Sequence, residues 1–321
     1  TGLYDLALKT GAPIIGLLDS AGLRLQEGTD ALNAFASIYA KEAEASGVIP
    51  QIAAVFGNCG GGLAVAAGMA DFAFMADDAK LFVNSPNALA GNSEDKKDTA
   101  AAGFKAEAGA VDVHGTEEEV LAKIRALVSI LPSNNEDEAA EECEDDLNRA
   151  SANVAAGIAD PAVAAADLSD GNLFVETRAE YAKEMATGFI KLNGETVGLI
   201  ANRTASYDEK GETAAEFKPV LTVAGTEKAA DFVNFCDAFE ISVVTLTNVS
   251  GFCTCECAEK KIAKNAAKLA AAFAGATVPK VNVVVGDAFG SAYTVMNSKA
   301  LGADITMALP DARIGMMDGN L

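Results

Sequence analysis

Val48-Ile49-Pro50-Gln51-Ile52-Ala53-Ala54-Val55-Phe56-Gly57-Asn58-Cys59-Gly60-Gly61-Gly62 is an apolar run that empties into a glycine-rich turn. Bounded by Pro on one side and glycines on the other, it reads as a buried strand that turns into a helix. The pattern occurs twice. Adding 229 to each number reaches Val278-Pro279-Lys280-Val281-Asn282-Val283-Val284-Val285-Gly286-Asp287-Ala288-Phe289-Gly290-Ser291, which sets Pro50 on Pro279, Gly57 on Gly286 and Gly61 on Gly290. The same offset lays Ile14-Ile15-Gly16-Leu17-Leu18-Asp19-Ser20-Ala21-Gly22-Leu23 over Val243-Val244-Thr245-Leu246-Thr247-Asn248-Val249-Ser250-Gly251-Phe252. One frame fits two strand-and-loop pairs, so the chain reads as two related halves in tandem.

A glycine is needed at such a turn where φ is positive or where something approaches the backbone closely. Where the turn opens a helix, unbonded N–H groups and the positive end of the helix point at one spot, which suits a developing oxyanion. Two equivalent turns therefore suggest a pair of backbone oxyanion holes, one per half.

The bulk numbers bound the rest. A chain of 321 residues has room for two domains with their own cores. We expect the first over 1–150, a linker over 151–170 and the second over 171–321. With 50% hydrophobic residues but no apolar run near eighteen, a globular chain without a membrane span is expected. The opening Thr1-Gly2-Leu3-Tyr4-Asp5 lacks the basic segment of a signal peptide. A net charge of −22 argues against nucleic acid or an anionic membrane as partner. Six cysteines without framework spacing suggest reduced thiols and a cytoplasmic location.

Taken in order, Thr1 to Lys9 reads as a helix end stopped by Thr10-Gly11-Ala12-Pro13. The first strand delivers Asp19 to Gly22, then Arg24, Gln26, Glu27 and Gly28, to its carboxyl end, where open α/β sheets place ligands. Ala31 to Ser46 and Leu63 to Met69 read as helices, Phe72 to Met75 and Lys80 to Val83 as strands, a rhythm of parallel α/β layers. The pattern weakens from 91 to 115, and the single histidine, His114, reads as a solvated side chain in a polar loop. Thr116 with Glu119 caps a helix running to Leu131. The acidic run Glu136 to Asp146 reads as a solvated face or linker. Asn193-Gly194 between alternating runs predicts a hairpin. In the 229 frame that hairpin's counterpart falls before Thr1, and the counterpart of the 116–131 helix falls beyond Leu321, so the sequence reads as cut at both ends.

With these loops in hand, the chain resembles the carboxyltransferase component of biotin-dependent acyl-CoA carboxylases, transcarboxylases and ion-pumping decarboxylases. The matching segments are Gly11 to Gly28, Ser46 to Ile52, Leu131 to Asn135, Phe232 to Phe239, Ala276 to Val281 and Ala292 to Lys299. The resemblance implies an α/β fold of two tandem crotonase-like βαβ spirals, with the acyl-CoA side in the first half and the biotin side in the second. It implies transfer of a carboxyl group between carboxybiotin and the α-carbon of a short-chain acyl-CoA, of propionyl/methylmalonyl or acetyl/malonyl type. Carried over by position, Gly60 and Gly61 resemble the pair that holds the acyl-CoA enolate, and Phe289 and Gly290 the pair facing biotin. Substrate contacts are implied at Gly22, Arg24, Gly251, Ala292 and Thr294. The resemblance further implies a biotin carboxyl carrier protein as partner, a biotin carboxylase or a membrane decarboxylase subunit beside it, and a homo-oligomer whose sites lie between subunits.

Several positions depart from the family pattern. Gly60 stands where Ala is usual, Asp287 where a basic residue is frequent, and Thr294 where propionyl-type members have Asp, which leaves the acyl-chain preference open. Cys253-Thr254-Cys255-Glu256-Cys257 replaces a Pro-Gly loop. Alternate cysteines in an extended loop are expected to project to opposite sides, so no metal site is expected there. Two rivals stand beside the carboxyltransferase reading. One is enoyl-CoA hydration or isomerisation, with Glu27 as candidate base; the other is a non-catalytic CoA-binding assembly subunit.

Overall fold

Successive apolar side chains without a polar break leave a strand no face for solvent, and Gln51–Val55 is buried at all five positions. The polar Gln51 is accommodated because its Nε2 donates to the Glu42 carbonyl at 3.0 Å. The computed structural model describes residues 1–319 apart from 90–96, 139, 144, 147, 152, 153, 155–157 and 209. The described chain divides into two compact units, Thr1–Asp137 and Glu138–Leu321.

The first unit runs α1 (Gly2–Thr10), β1 (Ile14–Leu18), α2 (Thr29–Ala45), β2 (Gln51–Val55), β3 (Asn58–Gly60), α3 (Gly62–Met69), β4 (Phe72–Ala76), β5 (Lys80–Phe82), α4 (Ala102–Glu107), β6 (Val113–Gly115) and α5 (Glu117–Ile130). Its main sheet is parallel in the order β1-β2-β4-β6, while β3 and β5 form a separate parallel pair. Val55, Met75, Ala76 and Val111 build one core with Ala64 and Ala67 of α3. A capping box, Thr116 with Glu119, starts α5, and Val120, Ile124, Leu127 and Ile130 bury one stripe of it.

His114 departs from expectation. It lies on β6, and its Nδ1 is 2.6 Å from Asp77 Oδ1 rather than in a polar loop. A three-residue strand is too short to show a period, which is why the sequence hid it. The seven residues 90–96, at the start of that weak stretch, lie outside the described residues.

The second unit runs α6 (Pro161–Leu168), β7 (Val175–Thr177), β8 (Met185–Leu192), β9 (Glu195–Asn202), β10 (Ala205–Tyr207), β11 (Thr213–Glu216), β12 (Val220–Leu221), α7 (Val223–Ala238), β13 (Ser242–Val249), β14 (Gly251–Phe252), α8 (Glu256–Glu259), α9 (Ile262–Gly275), β15 (Lys280–Phe289), α10 (Gly290–Val295), β16 (Ile305–Ala308) and β17 (Arg313–Gly315). Its main sheet has the order β16-β15-β13-β9-β8-β7, with β17 pairing the far end of β15. The predicted hairpin joins β8 to β9 through Asn193 and Gly194, at φ 57° and 79°.

Two stretches read as connections are tied into this unit. Glu141, within the acidic run, donates its N–H to the Gly194 carbonyl at 3.0 Å. Inside 151–170, α6 puts Ala164 and Ala165 into the second core beside Leu199 and Leu246. Alanine-rich sequence has too little amphipathic contrast to announce such burial.

The registers express the repeat directly. Ile14 pairs Gln51 in the first unit, and Val243 pairs Lys280 in the second, both shifted by 229. Past the glycine turn the frame lengthens to 233: Ile52 pairs Phe72 where Val281 pairs Ile305, and Asn58 pairs Lys80 where Asp287 pairs Arg313. On its other side β13 pairs β9, whereas β1 ends the sheet among the described residues. No described helix is long and apolar enough to cross a membrane.

Candidate functional site

In the first unit the site begins where β1 gives out. Phe56 donates its N–H to the Leu18 carbonyl at 2.9 Å, and Ser20 donates to the Asn58 carbonyl at 2.8 Å. The Asp19 carboxylate accepts the Asn58 N–H at 3.1 Å, tying the β1 loop to the turn after β2. Gly57 is what permits this: a Cβ there would stand 2.0 Å from Asp19 Oδ1. The second unit repeats the device. Asn248 Oδ1 accepts the Asp287 N–H at 2.9 Å, and a Cβ on Gly286 would meet that oxygen at 2.5 Å.

Backbone alternation sorts the amides of each bend. Lys80 donates to the Gly57 carbonyl and Gly61 donates to the Phe82 carbonyl, both at 2.9 Å, so residues 57, 59 and 61 bond toward β5. Asn58 points the opposite way, to the β1 loop, and Gly60 N–H shares its direction. In the second unit Asp287 N–H faces Asn248, and alternation turns Phe289 N–H to the same side. Gly61 and Gly290 then swing the chain into α3 and α10 at φ 60° and 57°.

The Gly61 amide is thus engaged by Phe82, and what Gly61 contributes is its backbone conformation. Further along, the first helical bond of α3 is made by Ala64 N–H to the Gly61 carbonyl at 3.2 Å, which places Gly62 and Leu63 N–H in the unbonded first turn. Tyr39 O–H donates to the Gly62 carbonyl at 2.7 Å and fixes that turn from α2. No atom stands within 4 Å of where a Cβ on Gly61 would be, so the space beside it is open.

The other residues named from the sequence differ in setting. Gly22 and Arg24 are exposed on the β1 loop; Gly22 N–H donates to Ser20 Oγ at 3.1 Å. Arg24 lies 3.3 Å from Glu27, an exposed pair, so the candidate base of the hydratase reading is an ion-paired surface carboxylate. Gly251 sits on β14, which packs against α10. Ala292 is 1% exposed and Phe289 6%, so their side chains belong to the core and only their main chain can meet a ligand. Thr294 is exposed and donates its hydroxyl to the Gly290 carbonyl at 3.3 Å.

Two residues that matter were missed. Arg313 from β17 makes a bidentate pair with Asp287, Nε to Oδ1 and Nη2 to Oδ2 both at 2.8 Å, so the acid standing where a base is usual carries its own counter-charge. The frame shift to 233 hid it, because Arg313 falls opposite Lys80 only in the longer frame. Phe82 occupies the space an Ala at position 60 would need: a Cβ on Gly60 would lie 2.7 Å from its ring. Among the described residues no group of three His, Cys, Asp or Glu side chains could hold a metal ion.

Comparison with known proteins matches a family model, the carboxyl transferase domain, over residues 1–320. The chain is 36% identical over 329 residues to a putative propionyl-CoA carboxylase beta chain of Bacillus subtilis, covering 98% of this chain and 62% of that one. It is 34% identical over 328 residues to the methylmalonyl-CoA decarboxylase subunit alpha of Propionigenium modestum, with the same coverage of 98% and 62%. The chain therefore spans about three fifths of the length of these relatives. The crystal structure of transcarboxylase 12S, a hexamer with hydrolysed methylmalonyl-CoA bound, superposes with a TM-score of 0.88 at 31% identity, over 99% of this chain and 64% of that one. A single-chain long-chain acyl-CoA carboxylase, at 21% identity and a TM-score of 0.75, shares the fold.

Proposed function

The chain belongs to the carboxyl transferase domain family, with its tandem crotonase-like fold, and from that premise we propose that it moves a carboxyl group between carboxybiotin and the α-carbon of a short-chain acyl-CoA of the propionyl/methylmalonyl type. The observation that carries this reading is the duplicated bend, in which an Asp or Asn oxygen clamps one amide and the amide two residues on is directed to the same side. Removing a proton beside a thioester carbonyl builds negative charge on its oxygen, and fixed N–H dipoles lower that cost without reorganising. In the first unit the donors are Gly60 N–H with the first-turn amides of Gly62 and Leu63. In the second they are Phe289 N–H and the amides that follow Gly290, which would hold the ureido oxygen of biotin. Bound biotin supplies the carboxyl carrier chemistry and arrives on a partner protein. This chain's part is to orient both groups and hold the charge. A homo-oligomer working beside partner subunits accords with the hexamer of the transcarboxylase neighbour and with the chain and subunit names of the relatives, a biotin carboxylase or a decarboxylase subunit being the proposed partner, and a cytoplasmic location rests on the six free thiols.

The deciding assay supplies carboxylated biotin carrier protein and propionyl-CoA and follows labelled carboxyl into methylmalonyl-CoA, with crotonyl-CoA hydration measured in parallel. Label transfer supports the reading; hydration without transfer overturns it in favour of a single-hole crotonase chemistry.

A further inference from the structure

Five of the six cysteines fall into two environments, and Cys143 stands apart, half-buried. Cys59 and Cys236 are fully buried, and burial pushes both thiols up, Cys59 to about 11. Cys253, Cys255 and Cys257 gather on the surface: Cys255 Sγ lies 2.8 Å from Cys257 Sγ and 3.5 Å from Cys253 Sγ. This reverses the expectation that they project to opposite sides. Residues two apart in extended chain share a face, and the chain is extended as far as Cys255. Cys253 N–H, bonded to the Leu221 carbonyl at 2.9 Å, anchors the start of the loop. Cys255 then caps α8, its Sγ accepting the Ala258 N–H at 3.3 Å, and the turn into the helix folds Cys257 back over it.

We propose that Cys255 and Cys257 form a thiol–disulfide exchange site for a small disulfide of the glutathione class, Cys255 attacking and Cys257 resolving. The Cys255 thiolate attacks one sulfur of RSSR, forming Cys255–S–SR and releasing RS⁻. Cys257, deprotonated, attacks the Cys255 sulfur, forming the Cys255–Cys257 bond and expelling the second RS⁻. Two protein thiols lose two electrons, RSSR gains them, and the two protons end on two RSH. The roles follow from the local field: hydrogen bonding from Cys257, then from Ala258 N–H, holds the Cys255 thiol below its ordinary value, while its neighbour pushes Cys257 up. The site is independent of the carboxyl-transfer reading, although it sits on the loop leaving β14, which packs against α10.

The test incubates the full reduced chain with oxidised glutathione, blocks the remaining thiols and maps them by mass spectrometry. Loss of two thiols with a Cys255–Cys257 linkage is expected, and Cys253→Ser keeps it. Because Cys253 Sγ also lies 3.5 Å from Cys255 Sγ, the two remaining variants are made on the Cys253→Ser background: there Cys257→Ser stops at the mixed disulfide on Cys255, and Cys255→Ser slows thiol loss about tenfold or more. Phenylarsine oxide, which grips paired thiols, binds the parent chain and the Cys253→Ser chain and neither of the two variants built on it; circular dichroism verifies that each variant is folded. A folded Cys255→Ser chain that reacts as fast as the parent, or linkage through Cys143 or Cys253 instead, overturns the proposal.

Discussion

The two glycine bends share a geometry and differ in chemistry. In the first, a carboxylate, Asp19, accepts the amide of Asn58; in the second, a carboxamide, Asn248, accepts the amide of Asp287, whose own charge is answered by Arg313. What the repeat has kept is an acceptor oxygen at the end of one strand, a glycine opposite it with no Cβ to obstruct the contact, and a positive φ four residues on. Charge has been redistributed around that frame. The comparison teaches that the backbone geometry of the bend is common to both halves while the charge around it is not.

The largest effect should come from attacking the shared element. Gly61→Val and Gly290→Val put a β-branched residue at φ near 60°, which should cost about 1–3 kcal/mol of stability in the urea transition and lower carboxyl transfer by about a hundredfold or more. Equal losses in both variants would uphold the equivalence; a loss confined to one would break it. Next, the clamps should tolerate exchange but not deletion. Asp19→Ala removes the acceptor of Asn58 N–H and should cost about 1–2 kcal/mol, whereas Asp19→Asn, which copies the second unit, should cost less than about 0.5 kcal/mol.

Smaller still is the feature peculiar to one half. Arg313→Ala should lower the urea midpoint of the second unit only slightly, an effect that shrinks in high salt because the Arg313 side chain is 55% exposed. Such a change in the first unit has no counterpart, since Asn58 carries no charge to answer.

A pH difference sharpens the contrast further. Burial raises the carboxyl of Glu42 to about 7, against a lowering by the Tyr4 hydroxyl, and leaves Oε2 without a partner. An acid whose folded pKa is raised binds more protons folded than unfolded. Its contribution is therefore full below the ordinary value of 4.5 and is lost as pH rises toward about 7. Glu42→Gln should flatten that slope and gain about 1 kcal/mol at pH 8, read from urea midpoints across pH.

Much of this was legible in the order of residues. Runs such as Gln51–Val55 and the Asn193-Gly194 turn announce themselves because burial and φ are local demands on residue type. The 229 frame exposed the tandem, and it even set Asp19 on Asn248 without revealing why both carry a side-chain oxygen. That reason is a contact across 39 positions, to Asn58 and to Asp287, and no local pattern encodes it. His114 and α6 were obscured for a similar cause: a three-residue strand and an alanine-rich helix take their burial from neighbours, not from their own periodicity.

The chain's order of residues thus settles where the strands lie, that they come in two related sets, and where each set must bend, because apolar runs and glycines act on their own segment. Which amides stay available at those bends was decided only when β3 met β5 and β15 met β17. Pairing satisfies Gly61 N–H with the Phe82 carbonyl and turns its neighbour the other way, and a peptide's hydrogen-bond direction is set by the strand lying beside it.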